Sequence, residues 1–69
     1  MQNLFGERLK MLRKEKGLMQ EDIAKILGCT QRKISYMEQG VTEPDLQSLL
    51  KLADYFGVSI DFLCGRTEY

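Results

Sequence analysis

The stretch at residues 20–40, QEDIAKILGCTQRKISYMEQG, determines how the rest of the chain is interpreted. In its first half Ile23 and Leu27 are four residues apart, and in its second half Ile34 and Met37 are three apart. Both spacings place the apolar side chains on one face of an α-helix. The stretch is therefore predicted to form two short amphipathic helices with a tight turn between them.

The turn lies at residues 28–30, and the second helix carries polar side chains that core packing does not require. Amide, guanidinium, hydroxyl and phenol groups are suited to the base edges and phosphates of DNA. We interpret the stretch as a helix-turn-helix whose second helix enters the major groove. The outward residues are Gln31, Arg32, Lys33, Ser35 and Tyr36.

Five of the six glycines follow segments with helical apolar spacing. Glycine just past a helix end supplies the left-handed residue that terminates the helix. Five such stops predict an all-α bundle in one domain spanning residues 1–69, with helices at about 3–16, 20–27, 31–39, 45–56 and 60–64. The five glycines are Gly17, Gly28, Gly40, Gly57 and Gly65.

The other helices are predicted to support this motif. Asn3 is the expected N-cap of the first helix, whereas Met19 gives the second helix no side-chain acceptor for capping. Glu21 and Asp22 compensate in part through the helix dipole. The fourth helix is expected to bury a wide apolar face, formed by Leu46, Leu49, Leu50, Ala53 and Phe56.

Composition favours one small globular domain, because 43% of the 69 residues are apolar and 29% are charged. No signal peptide or membrane-spanning run is present, so a cytoplasmic protein is expected, and it would be nucleoid-associated if the second helix binds DNA. Cys29 and Cys64 are expected to be reduced thiols, with a disulfide between them as the less favoured alternative. The chain has no histidine, no zinc pattern and no nucleophile with an evident base, so we expect no metal, cofactor, small-molecule ligand or enzymatic activity.

The net charge is zero, which by itself is unusual for a protein that binds nucleic acid. The charges are unevenly distributed, however. Residues 1–40 hold eight Lys/Arg against five Asp/Glu, a balance of +3, and residues 41–69 hold two against five, a balance of −3. A polyanion would be attracted to the first part and repelled by the second.

The whole chain resembles the Cro/phage-repressor type of helix-turn-helix, also called the xenobiotic-response-element family. The resemblance is carried by ERLKMLRKEKGLMQEDIAKILGC, ISYMEQG and EPDLQSLLKLADYFGVSIDFL, which together span nearly all of residues 4–64. It implies a five-helix bundle in which helices 2 and 3 form the motif. It also implies a structural ion pair between Arg13 and Glu38; the alternative is two independent surface charges.

The resemblance further implies roles in DNA binding. It maps base reading onto Gln31, Arg32 and Tyr36, with Ser35 as a further candidate. Arginine can bind guanine and glutamine can bind adenine in a bidentate manner. The phosphate contacts are expected from Gln20, Lys33 and Thr42, although each polar residue could also be part of a solvated helix face.

The function predicted from these observations is a sequence-specific transcriptional regulator of prokaryotic or phage type, a repressor that binds double-stranded DNA. One recognition helix makes few base contacts, so a homodimer on a two-fold operator is expected. The alternative is an antitoxin-like or partner-binding module of the same fold. Phe62 either closes the core or joins a dimer surface, for which the predicted residues are Ile60, Phe62, Leu63 and Tyr69.

Overall fold

A computed structural model describes residues 4–68, which form five α-helices and, within that range, no strand. The helices are α1 (Phe5–Glu15), α2 (Gln20–Leu27), α3 (Gln31–Gln39), α4 (Leu46–Phe56) and α5 (Ile60–Leu63). The predicted all-α class with five helices is therefore confirmed. Asn3, the predicted N-cap of α1, lies outside the described residues.

The motif helices lie at the centre of the packing. Helix α3 packs against both α2 and α1, while α5 packs against α1 and α4, and α4 also contacts α2. Each apolar side chain that is fully buried stabilises a fold by about 1.5–3 kcal/mol. Both halves of the motif contribute to this core, which consists of Phe5, Leu9, Leu12, Ile23, Ala24, Ile34, Met37, Leu52, Ala53 and Leu63.

The glycines behave as the sequence predicts, with one addition. All five glycines at the predicted stops have φ between 68° and 81°, a left-handed conformation that glycine adopts without steric cost. The sixth, Gly6, lies inside α1 against the end of α3. A Cβ atom there would be 2.5 Å from the carbonyl oxygen of Met37 and 2.6 Å from that of Glu38. The close approach of α1 to α3 therefore requires glycine at this position.

The predicted apolar face of α4 is wrong in part. Leu46 and Leu50 are 66% and 47% exposed, whereas Leu52, which the prediction omitted, is fully buried and Ser48 is buried beside it. Residues 48 and 52 are one turn apart, so they share a helix face. A leucine-rich helix has more than one apolar face, and packing against α2 and α5 selects the one that contains Leu52.

Side-chain caps fix the starts of three helices. Thr30 accepts a hydrogen bond from the backbone N–H of Lys33 at the start of α3. Asp45 and Ser59 accept corresponding bonds at the starts of α4 and α5. A cap of this kind typically stabilises a helix by about 1 kcal/mol. The turn between α2 and α3 is thus fixed by Gly28 on one side and Thr30 on the other.

Candidate nucleic-acid interface

An ion pair joins α1 to the end of α3. The Arg13 Nε atom donates to Glu38 Oε2 at 2.7 Å, and Nη2 donates to Oε1 at 3.1 Å. The Arg13 Nη1 atom also donates to the carbonyl oxygen of Leu18 at 2.9 Å. The side chains of Arg13 and Glu38 are only 11% and 3% exposed. The structure therefore places in contact the two residues that the sequence predicts to pair.

Hydrogen bonding to Glu38 raises the pKa of Arg13 above its ordinary value, and the negative charge of Glu38 raises it further. Burial acts in the opposite direction because it disfavours the charged guanidinium. The net shift of the Arg13 pKa is upward, so it favours the charged guanidinium.

The ion pair continues into α2 and returns to α3. Gln20 Nε2 donates to Glu38 Oε1 at 3.1 Å, and Gln31 Nε2 donates to Gln20 Oε1 at 3.2 Å. A set of side-chain hydrogen bonds thus runs from the buried Arg13 to the exposed Gln31 at the start of α3. We call Arg13, Glu38, Gln20 and Gln31 the relay.

The outer face of α3 carries the groups predicted to meet DNA. Gln31, Arg32 and Lys33 are exposed in the first turn, and Tyr36 is exposed one turn later. Ser35 is half-buried, and its hydroxyl accepts a hydrogen bond from Gln39 Nε2 at 2.8 Å. The four exposed residues are therefore more accessible to a ligand than Ser35.

Lys33 lies close enough to Asp45 for their charges to interact. Hydrogen bonds from Ser48 lower the pKa of the Asp45 carboxyl, and the positive charge of Lys33 makes a smaller contribution in the same direction. Thr42 is half-buried in the loop between α3 and α4, and its backbone N–H donates to the carbonyl oxygen of Tyr36 at 3.4 Å. Exposed Glu43 follows it. This end of the face thus mixes both signs of charge.

The start of α2 has a hydrogen bond that sequence reasoning missed. The Met19 side chain is exposed and makes no capping hydrogen bond, but the Met19 backbone N–H donates to Asp22 Oδ2 at 2.8 Å. Asp22 therefore compensates for the poor cap by direct contact as well as by its charge. Its position three residues after the N-cap was the available signal, because that spacing matches half of a capping box.

The predicted dimer surface needs one correction. Leu63 is fully buried in the core, so the prediction that it contacts a second copy is wrong. Ile60 and Phe62 are half-buried, and the Arg8 guanidinium lies 4.2 Å from the centre of the Phe62 ring. Phe62 thus both closes the core and keeps an accessible edge. Tyr69 lies outside the described residues.

Cys29 and Cys64 are free thiols, as expected. In the described part of the chain, no group of three or more His, Cys, Asp or Glu residues could hold a metal ion. None of the helices in residues 4–68 is long and apolar enough to cross a membrane.

Comparison with known proteins shows what this arrangement is similar to. A family model described as helix-turn-helix matches residues 9–63. The chain is 48% identical over 65 residues to the prophage-derived, uncharacterised HTH-type transcriptional regulator YonR of Bacillus subtilis, covering 94% of this chain and 60% of YonR. The chain spans 50–60% of the length of YonR and two further curated relatives from that organism.

Two solved structures share the fold. A transcriptional regulator from Listeria innocua superposes with a TM-score of 0.92 at 40% identity, covering 100% of this chain and 64% of that one. The P22 c2 repressor, solved in complex with a synthetic operator, superposes with a TM-score of 0.81 at 34% identity, covering 90% and 94%. These proteins are regulators and not enzymes, in agreement with the predicted class.

Proposed function

The chain belongs to the Cro/C1-type helix-turn-helix family, and from this premise we propose that it is a sequence-specific DNA-binding transcriptional repressor. It binds double-stranded DNA through α3, within a single domain spanning residues 1–69. The observation that carries this proposal is the exposed polar face of α3. The relay connects this face, through Gln31, to the buried Arg13–Glu38 ion pair. Because Gln31 is already held by Gln20, its side chain loses less conformational entropy when it binds.

The residues of α3 divide into two groups by their chemistry. Arg32 offers a guanidinium to guanine, and Gln31 offers a carboxamide to adenine. Tyr36 can donate one hydrogen bond or pack on a thymine methyl, and Ser35 has a hydroxyl hydrogen left to donate while it accepts from Gln39. We assign base reading to these four residues.

Phosphate contacts are assigned to three residues. Lys33 is exposed in the first turn of α3, and Thr42 lies in the loop that follows the helix. Gln20 begins α2, where backbone N–H groups favour an anion. Its Nε2 has a second hydrogen that is not used by Glu38, so a phosphate contact is compatible with the relay.

We further propose that the protein acts as a homodimer in the cytoplasm, associated with the nucleoid. A dimer places two recognition helices about 34 Å apart, one turn of DNA. The accessible edges of Ile60 and Phe62 are the proposed contact, and Tyr69 remains a prediction. A bound site selected from random duplexes is therefore expected to be two-fold symmetric.

A partner-binding or antitoxin-like module is the second candidate function. It is favoured by the zero net charge and by the exposed Leu46 and Leu50 on α4. Such a module would retain the fold but would show no salt-dependent affinity for duplex DNA. The same selection experiment therefore separates the two functions.

Two substitutions on α3 test the proposed division of roles. Arg32→Ala is expected to cost about 1–3 kcal/mol of binding free energy on the selected site and to relax specificity at one base pair. Lys33→Ala is expected to weaken binding to all sequences alike and to lower the salt slope by about 1. Both variants are measured by fluorescence anisotropy on the selected and random duplexes. Equal losses on both duplexes for both variants would contradict the assignment.

A further inference from the structure

The two ends of the relay differ in what they can offer as hydrogen-bond partners. Glu38, as the ionised partner of Arg13, has only acceptor oxygens. Gln20 and Gln31 each carry one oxygen acceptor and one NH₂ donor, so either end of each carboxamide could in principle face its neighbour. The orientation of both amides therefore depends on the group at the buried end.

Glu38 settles that orientation. Because its carboxylate cannot donate, Gln20 must present Nε2 to it, at the observed 3.1 Å. The Oε1 atom of Gln20 then faces Gln31, which must present its own Nε2, at the observed 3.2 Å. The buried carboxylate of Glu38 thus determines that the exposed Gln31 side chain uses its NH₂ group, and not its oxygen, to bond Gln20.

The hydrogen-bonding groups of Gln31 that Gln20 does not use form a defined donor and acceptor pair. One hydrogen of Nε2 is used by Gln20, which leaves Oε1 as an acceptor and the second hydrogen as a donor. Adenine presents a donor at N6 and an acceptor at N7, so it is complementary to this pattern. Guanine presents acceptors at both O6 and N7, so one of them would face the Oε1 of Gln31.

We propose that Glu38 is a positioning residue for base recognition, which sets a preference for adenine over guanine at the base pair read by Gln31 and acts through Gln20. This inference rests on the proposed function. It adds to that function a specificity determinant that does not touch DNA.

The relay itself can be tested without DNA. Side-chain NH₂ signals in ¹H–¹⁵N spectra of the free protein report whether each carboxamide is held. In Gln20→Met, which leaves the Arg13–Glu38 pair in place, the Gln31 signals are expected to move towards those of Gln47, which is exposed on α4. Identical Gln31 signals in the wild type and in Gln20→Met would overturn the proposal.

The base preference is tested with duplexes that differ at one position. Gln31→Ala first identifies the base pair that Gln31 reads. In Glu38→Gln, whose amide can donate or accept, the adenine-over-guanine preference at that pair is expected to fall by about tenfold. The preference at the base pair read by Arg32 is expected to change less than about twofold, because Arg32 lies outside the relay.

Gln20→Met provides a second variant in case Glu38→Gln folds poorly. It is expected to lose the same adenine preference, together with a uniform loss of affinity from the phosphate contact assigned to Gln20. A uniform loss of affinity with unchanged adenine preference would overturn the proposal, since that result indicates a purely structural role. Failure of the wild type to bind any duplex would overturn the base preference together with the proposed function. The NH₂ signals would still show whether the hydrogen bonds of the relay exist.

Discussion

Replacing Gly6 with alanine is expected to lower the free energy of unfolding by about 3 kcal/mol or more, at the upper end of overpacking costs. The new Cβ would lie 2.5 Å from the carbonyl oxygen of Met37, well inside van der Waals contact. Backbone atoms at the end of α3 cannot move aside without displacing the helix. Urea denaturation followed by circular dichroism measures the effect.

Helix propensity alone predicts the opposite sign, because Gly→Ala in a helix interior normally stabilises by about 1 kcal/mol. Gly17→Ala is the matched control: Gly17 has φ +69° and no atom within 4 Å of a built Cβ. We expect that control to cost about 1–2 kcal/mol through its left-handed conformation alone. A Gly6→Ala protein as stable as the wild type would contradict the close approach of α1 and α3.

Replacing Glu38 with alanine is expected to lower the free energy of unfolding by about 3 kcal/mol, the lower end of the range for broken buried ion pairs. The reason is that Arg13 would remain charged with an 11% exposed side chain and no carboxylate partner. Gln20 would lose its acceptor as well. The same urea measurement applies.

The control for Glu38 is Glu68→Ala. Glu68 pairs with Arg8 at 3.9 Å, but its side chain is 92% exposed. Exposed pairs contribute about 0–1 kcal/mol, so this variant should be nearly as stable as the wild type. The double variant Arg13→Met/Glu38→Leu should be less destabilised than Glu38→Ala, because no buried charge is left unpaired. Equal losses in Glu38→Ala and Glu68→Ala would contradict this account.

The five-helix architecture was predictable because its signals are local. A glycine after an apolar stripe marks a helix end wherever it occurs, and all five of those glycines have a positive φ. The same holds for Ile34 and Met37, whose spacing predicts a buried face and which are fully buried. Local periodicity thus accounts for the number of helices and for the core face of α3.

Features that depend on how two helices pack together were harder to predict from the sequence. Leu52 was missed and Leu46 misplaced, because a leucine-rich helix can be rotated between several apolar faces. Gly6 gave only a weak signal, as the one glycine outside the pattern of helix stops. Its role requires the distance to the end of α3, which no local pattern contains.

The candidate site likewise combines features that local sequence predicts with features that depend on helix packing. Exposed Gln31, Arg32, Lys33 and Tyr36 follow from their place on a helix whose other face is apolar. The contact from Gln20 to Glu38 joins residues eighteen positions apart and depends on the angle between α2 and α3. The resemblance to a known family implied parts of this arrangement, but the direction of each hydrogen bond depends on how the side chains of α2 and α3 lie in space.

Stability and recognition are coupled by this arrangement. The ion pair that fixes α1 to α3 also ends the relay that orients Gln31. Of the groups proposed to read DNA, Gln31 is therefore held in position before binding, by its hydrogen bond to Gln20. We expect variants of Arg13 or Glu38 to alter both unfolding and base preference, and variants of Arg32 to alter only binding.

DNA binding by α3 can be measured by titrating the protein onto a labelled random-sequence duplex at several salt concentrations. Fluorescence anisotropy gives the affinity at each concentration. We expect binding at low salt, with log affinity falling linearly with log salt at a slope of about −0.9 per phosphate contact. Absence of binding even at about 50 mM salt, where such contacts are strong, would contradict it.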